Sequence, residues 1–279
     1  MKTFVIQSKL TPCGHLVPMQ SYGCTAIEAV EYANWINGEQ VYGYELHLCN
    51  DDNWSLSRTF RSSCEDDPAE DSDDYNYLRG KYVPIGSVEF VSEWLRQMDA
   101  DIPKPLNIPE ELWSFVKRKV MLDKPINHTG TSFSMYVKSV DEIKSKVNGE
   151  YLLDGAFQGD TVYFMTEMVE PVVSEWRVFV YDRQILGIRC YSGDEWVLPK
   201  RDYIEDIVKV YDKRCYTLDV MVYEKQSNEP WVNICKGVNH VTDIVELHDF
   251  FACGLYGFED LKNLPKMWMA SIQDILGRR

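Results

Sequence analysis

The chain lacks the short motifs that disclose a phosphate or metal site at a glance. It has no Gly-x-x-x-x-Gly-Lys-Ser/Thr stretch and no Gly-x-Gly-x-x-Gly, so neither common glycine-rich phosphate loop is present. None of the eight cysteines forms a Cys-x-x-Cys pair, which removes the usual spacing of a zinc site. No apolar run approaches the ~18 residues of a membrane-spanning helix. Positive charge is scarce too: 29 Lys and Arg stand against 44 Asp and Glu, for a formal charge of −15. That balance argues against nonspecific binding to nucleic acid or to an anionic membrane. A local basic site inside an acidic shell is still allowed.

What is present reads as a globular chain large enough for two lobes or one large domain. Its 279 residues can bury a sizeable core without disulfide staples. Met1 to Gln7 reads as a first strand and not as a leader, so the cysteines are expected to be reduced thiols in a cytoplasmic protein. Residues 1–105 are expected to form an α/β lobe: a strand at Thr3–Ile6, a helix from Cys24 to Ile36 capped by Thr25 and stopped at Gly38, and a strand from Val41 to Cys49. Glu65 to Asp74 holds seven carboxylates with no apolar anchor and reads as a loop. A strand at Tyr82 then leads into a helix capped by Ser87, with Phe90, Val91 and Leu95 inward.

Pro103, Pro105 and Pro109 mark a linker. A helix is expected from Glu110 to Leu122, with Lys117-Arg118-Lys119 as a solvated face. Phe133 to Lys138 alternates as a strand, placing Met135 and Val137 on one face and Tyr136 and Lys138 on the other. Glu175 to Val180 and Ile185 to Tyr191 form a hairpin whose register matters. A three-residue connection would put Arg177 opposite Arg189, whereas a two-residue connection would put Arg177 opposite Ile188 and drive the arginines to opposite faces.

Short helices are expected at Ile204–Val210 and Leu261–Leu276. Between them, Cys215 to Tyr223 buries Tyr216, Leu218, Val220 and Val222 and presents Asp219 on the opposite face. In the stretch Thr242 to Phe258, alternation sends Glu246 and His248 to one face and Val245 and Leu247 to the other. A lysine, two arginines and two late carboxylates are the parts that a polyphosphate and its divalent metal require.

Taken in order, five stretches resemble the ATP-grasp fold, in particular a clade common in phages and bacteria. They are Tyr136-Val-Lys138-Ser, Ser174-Glu-Trp-Arg-Val-Phe-Val180, Gly187-Ile-Arg189, Tyr216-Thr-Leu-Asp219-Val and Ile244-Val-Glu246-Leu-His-Asp249. The resemblance implies an α+β fold in which two lobes, residues 106–279, clamp the nucleotide, preceded by the α/β lobe of residues 1–105. It implies that Lys138 leans on the α- and β-phosphates of ATP, with Lys144 or Lys146 as a second lysine. Thr161 to Val169 resembles the hinge strand whose backbone binds the adenine edge, with Glu167 near the adenine or ribose and Val169 and Glu175 also in the nucleotide set. Arg177 and Arg189 would serve the γ-phosphate or an acyl phosphate. Asp219 and Glu246 would hold Mg2+. The family usually has asparagine where His248 stands, and imidazole is a poor magnesium ligand, so the third contact is open: His248, Asp249 or water.

The implied reaction is ATP-dependent ligation of a small-molecule or peptide carboxylate to an amine or related nucleophile through an acyl phosphate, yielding ADP and phosphate. Two rivals accompany it. An ATP-binding sensing or interaction module without turnover would use the same site. A nucleotidyltransferase acting on nucleic-acid ends would use Lys146 in Lys146-Val-Asn-Gly149, a four-residue match that the acidic charge disfavours. Neither a membrane nor a nucleic-acid partner is expected.

Overall fold

A computed structural model describes residues 1–48, 81–124, 135–141, 149–151, 161–225 and 239–277. Two compact units result: Met1–Pro103 together with Phe250–Arg279, and Lys104–Asp249.

In the first unit, β1 (Lys2–Leu10) is the central strand. It pairs in parallel with β3 (Tyr42–Leu48) and β4 (Tyr82–Ile85), and its end pairs antiparallel with β2 (Leu16–Pro18). A strand with neighbours on both edges and cover on both faces reads as a continuous apolar run, and Phe4, Val5 and Ile6 are all buried. Helix α1 (Ser21–Asn37) begins four residues before Thr25, so Thr25 is not its cap; Gly38, with φ of 68°, closes it in the left-handed conformation. Ser87 caps α2 (Val88–Gln97) by accepting a hydrogen bond from the Phe90 amide, and Phe90, Val91 and Leu95 are buried. The last helix, α4, spans Leu264–Leu276, with Pro265 in its first turn instead of a start at Leu261. Its Trp268 packs against Phe4 and Phe250, with ring centroids 6.2 Å and 5.9 Å apart. Residues 250–279 thus join the first unit, although the sequence reading grouped them with the second. The acidic run at 65–74 lies outside the described residues.

The second unit holds two antiparallel sheets. One has the order β5-β8-β6-β7, from Val120–Asp123, Tyr163–Glu167, Met135–Lys138 and Gly149–Tyr151. The other has the order β10-β9-β11-β12, from Gln184–Gly193, Val172–Tyr181, Cys215–Glu224 and His240–Asp249. Trp176, Val178 and Val180 of β9, Tyr216, Leu218 and Val220 of β11, and Ile244 and Leu247 of β12 face one apolar core. That core is closed by Ile204, Ile207 and Val208 of α3 (Arg201–Val210).

The helix expected at 110–122 is replaced by a short 3-10 turn at Glu110–Phe115 followed by β5. Asp243 explains the break. Its Oδ1 accepts from the Lys117 amide at 3.0 Å and its Oδ2 from Arg118 NH1 at 2.9 Å, which pulls the chain out of helix. Val120–Asp123 then pair with β8. Arg118 is therefore a buried side chain, 5% exposed, and not part of a solvated face.

The hairpin also departs from both expected alternatives. Its turn has two residues, Asp182 and Arg183, at φ of 47° and 60°, so Tyr181 faces Gln184. A bulge at Leu186 then shifts the register by one, and Arg177 faces Arg189.

Candidate functional site

The face of β10-β9-β11-β12 that turns away from the apolar core carries the polar residues. Register aligns four of them in one row across the sheet: Arg189 opposite Arg177, Arg177 opposite Asp219, and Asp219 opposite Glu246. The row reads two cations, then two anions. Direct partners in antiparallel strands share a face, so the four side chains leave the sheet on the same side.

The inner pair is an ion pair. Arg177 donates from Nε to Asp219 Oδ1 at 2.8 Å and from NH2 to Oδ2 at 2.7 Å, a two-point fork that fixes the carboxylate plane. Arg177 is 7% exposed and Asp219 2%. β11 is an interior strand covered on both faces, which buries Asp219 on the face opposite Leu218 and Val220.

At the end of the row, Glu246 receives two partners. Lys138 Nζ, from β6 of the other sheet, donates to Oε2, and His248 Nε2 lies 2.7 Å from Oε1. Burial alone would raise the Glu246 pKa. The hydrogen bonds and charges of His248 and Lys138 together outweigh it and hold the carboxyl well below the usual carboxylate range. A bulge at Val245 separates Asp219–Glu246 from Val220–Ile244 in the ladder. It gives the core position to Ile244 and turns Val245 to the cavity beside Glu246, where alternation had sent Val245 to the Leu247 face.

The cavity that Glu246 faces has a volume of about 610 Å³, within the usual range for a small-molecule site. Lys138 and Tyr136 from β6, Phe164 and Thr166 from β8, and Glu175, Tyr191 and Met221 line it. The segment Glu167 to Val172 lines it as well. The Glu167 amide donates to Lys119 O at 2.9 Å, and the Lys119 amide donates back to the Glu167 carboxylate at 3.0 Å. Burial, then the charge of Asp219, push the Glu175 carboxyl above its ordinary value, against a hydrogen bond from Ser192. Tyr191 is the extra residue of a second bulge in β10, between Cys190 and Ser192. Gly193, two residues on, has φ of 81° and approaches Val173 so closely that a Cβ there would lie 2.1 Å from its carbonyl oxygen. Burial, then the Asp219 and Glu175 charges, push the Tyr191 phenol far above its ordinary value.

The metal-ligand test is geometric. One ligand atom each from Asp219, Glu246 and His248 can be chosen so that all lie within 4.8 Å of one another. Two carboxylate oxygens suit a hard cation such as magnesium; the imidazole suits it less.

The structure therefore brings Lys138, Glu167, Val169, Glu175 and Glu246 onto one cavity, with Arg177, Arg189, Asp219 and His248 on the adjoining sheet face. Lys144 and Lys146 lie outside the described residues. Arg118 and Tyr191 are among the cavity residues that the sequence reading did not single out. Arg118 was hidden in a basic run whose partner, Asp243, lies 125 residues away. Tyr191 had a legible signal, since it follows Arg189 at the spacing of one strand face.

The family model for the ATP-grasp domain, R2K clade family 2, matches residues 115–264, just over half of the chain. No curated protein matches the chain. Solved structures similar to it include the ATP-grasp ligase PsnB complexed with a minimal precursor, at 12% identity over 97% of this chain and 99% of that chain, TM-score 0.42. Another is the RimK domain protein ATP-grasp from Sphaerobacter thermophilus DSM 20745, at 13% identity over 99% and 100%, TM-score 0.39. A third is the D-alanine–D-alanine ligase from Bacillus anthracis, at 10% identity over 99% and 96%, TM-score 0.40.

Proposed function

The chain belongs to the ATP-grasp domain family, R2K clade family 2, and we propose that it is an ATP-dependent ligase joining a carboxylate to an amine or related nucleophile. One observation carries the reading. A lysine of one sheet, Lys138, bonds a carboxylate of the other, Glu246, in the wall of a cavity beside which Asp219 and His248 converge. An ammonium and a convergent carboxylate set are what a nucleotide with a divalent cation demands.

In this reading the nucleotide occupies the cavity, with its base against the Glu167–Val169 segment of the lining. Lys138 offsets phosphate charge, with Lys144 or Lys146 as a further candidate. Asp219 and Glu246 would hold magnesium, with His248 as the third candidate; the ion would neutralise charge on the phosphate oxygens. Arg189 is the cation for the transferred group. A carboxylate oxygen of the acyl substrate attacks the γ-phosphorus, the β–γ bond breaks, and ADP departs. The amine then attacks the acyl carbon, phosphate leaves, and the amine gives up a proton to solvent. The residues contribute charge and orientation, without a covalent enzyme intermediate. The acyl substrate is a small molecule or a peptide. The proposal includes a cytoplasmic location; among the described residues, no helix is long and apolar enough to cross a membrane.

The test is the product. ATP hydrolysis should be slow alone, rise with the right carboxylate, and yield ADP and phosphate. Hydroxylamine, in place of the unknown amine, should trap the acyl phosphate as a hydroxamate when amino acids, dipeptides and small di-acids are screened. AMP as the main product would overturn the reading in favour of adenylation at Lys146. Tight ATP binding with no turnover across the screen would favour the sensing module, which His248 in the usual asparagine position keeps in view.

A further inference from the structure

The geometry points to Arg177 as a positioning residue: it holds the Asp219 carboxylate in place for a divalent cation and does not itself contact phosphate. The inference rests on the nucleotide-and-metal reading above and departs from the γ-phosphate role that the resemblance implies for Arg177.

Three features support it. The Arg177 fork engages both oxygens of Asp219, at 2.8 Å and 2.7 Å, which leaves each oxygen with a lone-pair direction still able to meet a cation. Both side chains are at least nine-tenths buried, at 9% and 3% exposed. Reaching out to a phosphate would strand the Asp219 charge in a buried setting. Arg177 is also not on the cavity wall, where Arg118 and Lys138 are; Tyr191 is on that wall, with its ring centroid 5.9 Å from the Arg177 guanidinium carbon.

Charge supplies the reason for the arrangement. Asp219 stands opposite Glu246 in the ladder and close enough to Glu175 to raise its pKa. Three carboxylates on one sheet face repel one another, and each needs a cation or a hydrogen-bond donor. Lys138 and His248 serve Glu246. Ser192 bonds Glu175. Arg177 serves Asp219. Without it, Asp219 would turn away from its buried, unpaired position, and the pair of ligand oxygens would come apart.

The experiment compares R177Q, R177K, D219N and the double variant D219N/R177Q with the unmodified protein. Mn2+ affinity is measured by calorimetry without nucleotide, and the affinity of a non-hydrolysable ATP analogue is measured in chelator without metal. We expect R177Q to weaken Mn2+ binding at least tenfold while changing the metal-free nucleotide affinity less than twofold. R177K, which keeps the charge but loses the fork, should recover part of the loss. In the D219N background, R177Q should change neither affinity, because a residue acting through Asp219 has nothing left to act on. Should R177Q fail to fold, R177K and the double variant, which strands no buried carboxylate, carry the comparison. Unchanged Mn2+ affinity in R177Q, or a further fall of nucleotide affinity when R177Q is added to D219N, would overturn the inference. So would an unmodified protein that takes up no Mn2+. Nucleotide binding in chelator judges the ATP-binding reading separately.

Discussion

Arg177 and Arg189 face one another across β9 and β10, although only two residues turn the chain between those strands. A two-residue turn alone would bring Ile188 opposite Arg177 and send Arg189 to the apolar side. The extra residue Leu186 restores the alignment. A bulge thus sets the composition of the site from outside it.

Deleting Leu186 should therefore turn Arg189 toward Trp176, Val178 and Val180. A guanidinium without a partner in that core costs several kcal/mol, so we expect a large fall in the unfolding midpoint. Leu186→Ala keeps the extra residue and should stay within about 1 kcal/mol of the parent. Chemical denaturation of both variants checks the pair; equal effects would show that the bulge does not set the register.

Arg118→Ala should destabilise the protein by about 3–5 kcal/mol, because it leaves Asp243, a fully buried carboxylate, without its cation. Asp243 would retain the Lys117 and Ile244 amides and the Tyr203 hydroxyl, which limits the loss. Urea unfolding measures it. A change below about 1 kcal/mol would mean that those three donors suffice.

His248→Asn should preserve or raise turnover if the imidazole only fills the place of an oxygen ligand. The comparison is kcat in the hydroxamate assay. A loss of more than about tenfold, roughly 1.4 kcal/mol in the barrier, would give the imidazole a role of its own.

Glu175 gives a pH signature of defined sign. Its pKa is raised in the folded protein by burial and by Asp219. The folded state therefore holds the proton more tightly, and stability falls as pH rises from the ordinary value of 4.5 through the raised folded one. Glu175→Gln removes that loss, so the variant should gain in melting temperature relative to the parent at pH 7–8 and gain little at pH 4. Melting curves across that range test it; a gain independent of pH would point to packing instead.

Much of the site was legible in the sequence because strand alternation is a local property. The two-residue period placed Met135 and Val137 in the core and left Tyr136 and Lys138 for the cavity, and it kept Glu175 and Arg177 on one face. Gly38 and Ser87 could likewise be read as helix boundaries, since capping depends on neighbouring amides. What the sequence could not decide were interactions whose partners are far along the chain. Asp243 broke the expected helix at its basic run into a 3-10 turn before it and a strand after it. Bulges at Leu186 and Val245 reset the registers of β10 and β12, which depend on what the neighbouring strand must bury. The Arg177–Asp219 fork spans 42 residues and exists only because β9 and β11 are adjacent in the sheet. Periodicity assigns a residue to a face; only the assembled sheet determines which residue it meets there, because pairing is a compromise between strand twist, core volume and the charges that must be matched across the ladder.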